Sequence, residues 1–124
     1  MIKTNLPKYK TGHFGKWHLA ANGPSAHGFD DSDGETANVE GNTKINSNPK
    51  DIFGITSRSI SWMNEQVNSK TPFFMQISHY ATHLAMESRL ETKNKVKTYV
   101  PGNRHSKLGF AAMSEDLDTG IGML

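Results

Sequence analysis

The chain has 124 residues, and its fourteen Lys and Arg against twelve Asp and Glu give a formal net charge of +2. This near balance argues against a nucleic-acid-binding protein, which typically has a strong excess of basic residues. The sequence has no cysteine, which excludes both a disulfide framework and a thiolate zinc site. No apolar run approaches the roughly 20 residues of a membrane span, so we predict no nucleic-acid partner, no membrane span and no signal peptide.

Residues 8–19 mix aromatic and β-favouring residues with two glycines, which predicts a strand that runs into a loop. If residues 14–19 are extended, the side chains of Lys16 and His18 project from one face and Trp17 from the other. A cation beside a titratable imidazole suits the binding of a small oxyanion and the movement of a proton. The spacing alone, however, favours an exposed lysine and a histidine held by ordinary hydrogen bonds.

Residues 20–50 are rich in Gly, Asn, Ser, Asp and Pro without any period, which predicts a long irregular loop. Asn48-Pro49 then provides a cap and a first-turn proline for a helix from about residue 50 to residue 68. Its apolar residues recur at helical spacing: Phe53, Ile60, Met63 and Val67. The apolar run of residues 73–78, which follows Pro72, predicts a buried strand.

Residues 86–106 are polar and are broken by Pro101-Gly102. A last helix is predicted from an amphipathic stripe: Phe110, Met113, Leu117, Ile121 and Leu124. The acids Glu115, Asp116 and Asp118 cover adjacent helix positions, which is typical of a solvated face. The order strand, loop, helix, strand, loop, helix predicts an α/β fold with parallel strands joined by helical crossovers.

Residues 9–19, Tyr-Lys-Thr-Gly-His-Phe-Gly-Lys-Trp-His-Leu, closely resemble the second signature of the type I sulfatases, members of the alkaline phosphatase superfamily. The resemblance continues in order through Gly28-Phe29-Asp30, the stretch from Pro72 to His83, and the stretch from Ala111 to Asp118. It implies that residues 1–124 are part of a sulfatase catalytic domain. Their strands would then belong to an alkaline phosphatase-like central sheet flanked by helices.

The resemblance also implies roles for three residues. Lys16 would contact the sulfate and the catalytic formylglycine hydrate, and His18 would remove a proton from that hydrate when the sulfated intermediate collapses. His83 would contact the sulfate and is a candidate acid for the leaving oxygen. These roles suit the chemistry, because a protonated histidine and a fixed ammonium lower the barrier to charge development on the departing oxygen.

Departures from the family pattern limit what the chain alone can do. Ala20 stands where the signature usually has glycine, and Leu84-Ala85 follows His83 where Thr-Pro is common. The Cys/Ser-x-Pro-x-Arg motif that supplies formylglycine is missing, and so are the paired acids and the Asp-Asn pair that hold calcium. We interpret Asp30-Asp31 as loop or cap residues. The nucleophile region and the C-terminal part are therefore predicted to be missing, with no metal ligands in this chain and no activity from it alone.

Several alternatives remain open at the level of sequence. The expected partner is a sulfated small molecule or carbohydrate, but relatives in the superfamily cleave phosphodiesters or phosphonate esters, and a non-catalytic oxyanion-binding module would use the same side chains. A zinc site from His79 and His83 is a further possibility. We disfavour zinc because residues 79–83 are predicted to be extended. Family members are often periplasmic, secreted or lysosomal, and the sequence leaves the compartment open.

Overall fold

The computed structural model describes residues 2–19 and 21–124, so the departure at Ala20 lies outside the described residues. In chain order the helices and strands are α1 (Ile2–Asn5), β1 (Lys10–Gly15), β2 (Asp31–Ser32), α2 (Ile52–Asn68), β3 (Phe73–Ser78), α3 (Leu90–Val96) and α4 (Leu108–Ile121). Short 3-10 turns at Ser25–His27, Val39–Gly41 and Pro49–Asp51 interrupt the segment predicted to be a loop.

The strands form one parallel three-stranded sheet in the order β2-β1-β3. β1 pairs with β3 along its whole length, from Lys10 opposite Phe73 to Gly15 opposite Ser78, and the shorter β2 flanks its other side. Parallel strands need a crossover, and α2 provides the one that connects β2 to β3, on the far side of β1. The predicted α/β architecture, a parallel sheet flanked by helices, is confirmed in this form.

The main apolar core lies between the sheet and α2. Its buried members are Phe14, Ile55, Trp62 and Tyr80, and the residues packed against them are Met63, Phe73, Met75 and Ile77. The ring of Trp62 meets Phe14 and Phe73 edge-on, with centroid distances of 5.9 and 5.5 Å. Full burial of a large apolar side chain stabilises a fold by roughly 1.5–3 kcal/mol. This cluster therefore fixes α2 on the sheet and holds its first turn near the carboxyl ends of the strands.

The bounds of α2 agree with the prediction, but its buried face does not. Asp51, not Asn48, is the N-cap residue of α2, but the Asn48 side-chain oxygen accepts the N–H groups of Phe53 and Gly54, both at 3.0 Å. Val67, from the predicted stripe, is 62% exposed. The buried residues are Ile52, Ile55, Thr56, Ser59, Trp62 and Gln66. Apolar spacing predicted the wrong face because polar side chains occupy part of the buried one. The Thr56 hydroxyl, for example, donates a hydrogen bond to the Ile52 carbonyl at 2.8 Å.

α4 shows the same kind of error. Met113 is buried as predicted, but Phe110 and Ile121 are 44% and 51% exposed. The prediction of a solvated acidic face is wrong for Asp116, which is fully buried. Its carboxylate accepts the Arg89 Nε–H group at 2.8 Å and the Thr92 hydroxyl at 2.6 Å, and so attaches α3 to α4. Within the described part of the chain, no helix combines the length and apolar character needed to cross a bilayer.

β3 has the predicted bounds but is only half-buried. Phe73, Met75 and Ile77 face the core, while Phe74 is 39% exposed on the opposite face. The Phe74 ring lies 6.5 Å from the Phe29 ring, centroid to centroid, and this contact covers it only in part. The prediction of a fully buried strand is therefore corrected.

Candidate functional site

The candidate site lies at the carboxyl edge of the sheet, where β1, β2 and β3 all end. Parallel strands bring the segments that follow them to one edge, the usual place for ligand sites in α/β folds. Here the Lys16 N–H group donates to the Ser78 carbonyl at 2.7 Å, and the Asp33 carboxylate accepts the Gly15 N–H group at 2.8 Å. The segments after all three strands are thus tied together at this edge.

Thr36 holds the loop that carries Lys16 and His18. Its hydroxyl donates to the Gly15 carbonyl at 2.7 Å and accepts the Trp17 N–H group at 2.9 Å. Its carbonyl accepts the His18 N–H group at 2.8 Å. The extended backbone ends at Gly15 and His18 has a φ of 41°, so the predicted strand-like alternation of Lys16 and His18 is wrong. Thr36 was not identified from the sequence, since no local spacing links it to the motif.

Trp17 anchors the same loop through an aromatic cluster. Its indole is buried and lies 5.0 Å from the His27 ring and 6.2 Å from the Phe29 ring, centroid to centroid. It also meets the buried His13 imidazole edge-on at 5.2 Å. This aromatic cluster fixes the backbone on either side of Trp17 and so limits where the two flanking functional side chains can move.

Lys16 and His18 have different surroundings. Lys16 is half-buried, whereas His18 is exposed and lines a cleft of about 310 Å³ together with Glu35 and Thr36. Glu40 lies near His18. A hydrogen bond from the Ala37 N–H group, at 2.7 Å, lowers the pKa of Glu40, and the charge of His18 adds to that effect. His18 is therefore open to a ligand and has a carboxylate close by.

His83 lies in a turn and not in the strand predicted for residues 79–83. β3 ends at Ser78, and the His83 N–H group donates to the Tyr80 carbonyl at 3.0 Å. The exposed imidazole places Nδ1 2.9 Å from the Leu84 carbonyl oxygen. A carbonyl can only accept, so Nδ1 carries the proton and Nε2 is the nitrogen left to exchange a proton with a ligand.

His79, considered from the sequence only as a disfavoured zinc ligand, and Tyr80, which was not identified, follow β3 directly. Both ring nitrogens of His79 are buried and have no hydrogen-bond partner among the described residues. Burial lowers the pKa of His79, an effect opposed by the charge of Asp51. Burial also raises the pKa of Tyr80, whose side chain hydrogen-bonds with Thr36. The Tyr80 side chain and the ring nitrogens of His79 are thus buried at the carboxyl edge.

Arg58 links α2 to the loops at this edge. Its guanidinium donates two hydrogen bonds to the Asp33 carboxylate, at 3.0 and 2.7 Å, and one to Asp51 at 2.8 Å. These bonds raise the pKa of Arg58. Because Asp33 also accepts the Gly15 N–H group, the Arg58 cluster positions the loop that carries Lys16.

Lys50 is the least expected residue at this edge. Its side chain is 1% exposed, and its ammonium donates to the Asn42 side-chain oxygen at 2.6 Å. Burial lowers the pKa of Lys50; the nearby charge of Glu87 opposes this, and the charge of Lys16 adds to it. Lys50 belongs to the carboxyl edge because its neighbour Asp51 accepts a hydrogen bond at 2.8 Å from Arg58, which also binds Asp33. The sequence placed Lys50 only at the start of a helix.

The described residues do not fit a metal. The Asp30 carboxylate accepts the Thr11 N–H group at 2.9 Å, and Asp31 accepts the Trp62 indole N–H group at 2.9 Å, so both acids have roles in the fold. Over residues 2–19 and 21–124, no three His, Cys, Asp or Glu side chains form a group that could hold an ion. The zinc pair is also unsupported in geometry, because His79 is largely enclosed while His83 is exposed.

No protein-family model matches the chain, and no curated protein matches it. The sulfatase resemblance therefore rests on the residues of the four motifs, and a function has to be argued from the side chains at the carboxyl edge.

Proposed function

We propose that this chain is part of the catalytic domain of a sulfuric ester hydrolase, with Lys16, His18 and His83 as the residues that face the ester. The sheet would then be part of an alkaline phosphatase-like central sheet. The observation that carries the proposal is the shared edge. The segment with Lys16 and His18 and the segment with His83 follow adjacent parallel strands, and the Lys16 N–H group is bonded to Ser78 at 2.7 Å.

The chemistry of a sulfate ester suits these side chains. Negative charge develops on the leaving oxygen, and an ammonium at Lys16 stabilises the oxyanion electrostatically. His83 can deliver a proton to the leaving oxygen through Nε2, because Nδ1 is occupied by the Leu84 carbonyl. His18 is exposed at the same edge and can accept a proton. The substrate is a sulfated small molecule or carbohydrate.

Calcium and formylglycine belong to the intact family enzyme and cannot be supplied by the residues described here. No group of described side chains fits a metal, and the sequence has neither a cysteine nor the Cys/Ser-x-Pro-x-Arg motif. We therefore expect no hydrolysis of an aryl sulfate by this chain alone, with or without added calcium. The measurement is release of the phenol against a buffer blank, and calcium-dependent turnover above that blank would contradict the expectation.

The proposal is tested by the coding DNA on both sides of this reading frame, read in all frames. We expect a Cys/Ser-x-Pro-x-Arg motif upstream and an Asp-Asn pair downstream. In the restored enzyme, K16A and H18A should each lower kcat/KM for an aryl sulfate by about 10²–10⁴, the usual range for a lost catalytic group. A restored enzyme that cleaves a phosphodiester or phosphonate ester faster than the sulfate would instead support the related ester hydrolases.

A non-catalytic oxyanion-binding module is the second candidate, because the chain has the anion-facing residues without the nucleophile. The apolar surface argues against it. Leu19 is 76% exposed and Val100 94% exposed, and β2 and β3 form the two edges of the described sheet. Such surface and edges are usually covered in a complete domain. If neither flanking motif is found and urea unfolding is cooperative, the binding module becomes the better explanation.

A further inference from the structure

Lys50 is a buried cation whose ammonium is bonded to a neutral group. An ammonium has three N–H donors, and the described residues give it one short bond, to the neutral amide of Asn42 at 2.6 Å. Lys50 takes part in none of the ion pairs between described residues. The nearby Glu87 carboxylate is used by the backbone, since it accepts the N–H groups of Lys44 and Lys50, both at 3.2 Å.

Burying a cation in this way is costly unless something compensates for it. A buried charge is normally paired, and an apolar side chain of similar volume would stabilise the site more. Lys16 makes the position less favourable still, because its charge lowers the pKa of Lys50 in addition to the effect of burial. Two ammonium groups at one edge are therefore better explained by a ligand than by the stability of the fold.

His79 is an independent sign of a missing ligand at the same edge. Both of its ring nitrogens are buried without hydrogen-bond partners among the described residues. Tyr80, the residue after His79, packs on Gly41, and Gly41 precedes Asn42, whose side chain binds the Lys50 ammonium. Buried polar atoms are rarely left unsatisfied in folded proteins, and an ion or water is a common explanation.

We infer that Lys50 is a second cationic ligand, beside Lys16, for the oxyanion that this edge binds. The inference rests on the proposed function, because it assumes that Lys16 faces the oxyanion. Lys50 fits this role because a tetrahedral dianion between the two ammonium groups offsets their mutual repulsion. The dianion also accepts hydrogen bonds from the Lys50 N–H groups that do not bind Asn42. The substrate is then a sulfate ester whose oxyanion contacts both Lys16 and Lys50.

The test compares sulfate binding and stability in K50M, K16M and the control K70M, in which the lysine is exposed. Sulfate affinity is obtained from the sulfate-dependent shift of urea unfolding at constant ionic strength. We expect K50M and K16M each to weaken sulfate binding at least about tenfold, while K70M leaves it unchanged. Without sulfate, K50M should be at least as stable as the natural chain, because a buried unpaired charge has been removed.

Each other outcome has one meaning. If K50M is destabilised but binds sulfate normally, the ammonium is structural and the inference fails. If K16M weakens binding and K50M does not, the inference fails while the proposed anion site stands. If K50M weakens binding and K16M does not, the shared site is overturned. No sulfate binding by the natural chain overturns the inference, while the proposed function is decided by the flanking DNA.

A second variant keeps the inference testable if K50M does not fold. N42D places a carboxylate against the Lys50 ammonium, where the amide oxygen now lies at 2.6 Å. We expect N42D to stabilise the chain without sulfate and to weaken sulfate binding, because the new carboxylate competes for the same ammonium. Unchanged sulfate affinity in N42D would overturn the role of Lys50.

Discussion

Replacing Asp116 with alanine is expected to lower the free energy of unfolding by about 3–5 kcal/mol, the usual cost of removing one partner from a buried ion pair. Asp116 is fully buried, and it accepts the Arg89 N–H group at 2.7 Å and the Thr92 hydroxyl at 2.6 Å. Its loss removes the acceptor of the Arg89 Nε–H group, the Arg89 backbone N–H group and the Thr92 hydroxyl between α3 and α4, although the guanidinium keeps its bond to Glu91 at 3.0 Å. Because whole domains are stable by only about 5–15 kcal/mol, this one change should remove a large part of the stability.

The matched control for D116A is D118A, two residues further along α4, where the side chain is exposed. Urea unfolding of both variants measures the difference. D118A should stay within about 0.5 kcal/mol of the natural chain, as expected for a surface position. Equal effects of the two substitutions would show that the Asp116 bonds do not hold α3 on α4.

Replacing Gly15 with alanine is the second change with a large expected effect. Gly15 ends β1 with a φ of 93°, a region that costs a residue with a Cβ atom about 1–2 kcal/mol. An added methyl group would also overlap the Ser78 carbonyl oxygen, which accepts the Lys16 N–H group at 2.7 Å. Overpacking typically costs a further 1–3 kcal/mol, and here it would separate the two segments that form the site.

Gly34 supplies the control for G15A. It has a similar φ of 87°, but an added Cβ atom would have nothing within 4 Å. G34A therefore measures the backbone cost alone, and the excess destabilisation of G15A in urea unfolding measures the overlap with Ser78. A G15A variant no less stable than G34A would contradict the close approach of β1 and β3 at the carboxyl edge.

The elements were predictable where local signals were strong. The Asn48-Pro49 pair and the break at Pro72 bound α2 and β3, and both elements have the predicted extents. α3 was missed because it is short and mostly polar, and the side chain that attaches it, Asp116, comes from α4. β2, with only two residues, exists through its pairing with β1. Such elements depend on tertiary contacts, which local propensity does not contain.

The candidate site was predictable only in part for the same reason. Lys16, His18 and His83 were identified from the letters of a motif, and spacing alone gave the wrong arrangement for Lys16 and His18. Thr36 binds Gly15, which is far from it in the sequence, and Lys50 differs from other lysines because its side chain is buried. A single sequence cannot show which of many polar residues finds such surroundings.

The proposal that the carboxyl edge is an oxyanion site is tested most directly by titrating the ¹⁵N-labelled chain with inorganic sulfate at constant ionic strength and following the backbone amides by NMR. The basic segment of residues 93–107 serves as an internal control for unspecific attraction. We predict saturable shifts at residues 16–18 and 79–83 that are lost in K16M. Shifts that do not saturate, or that are confined to residues 93–107, would contradict a specific oxyanion site at the end of β1 and β3.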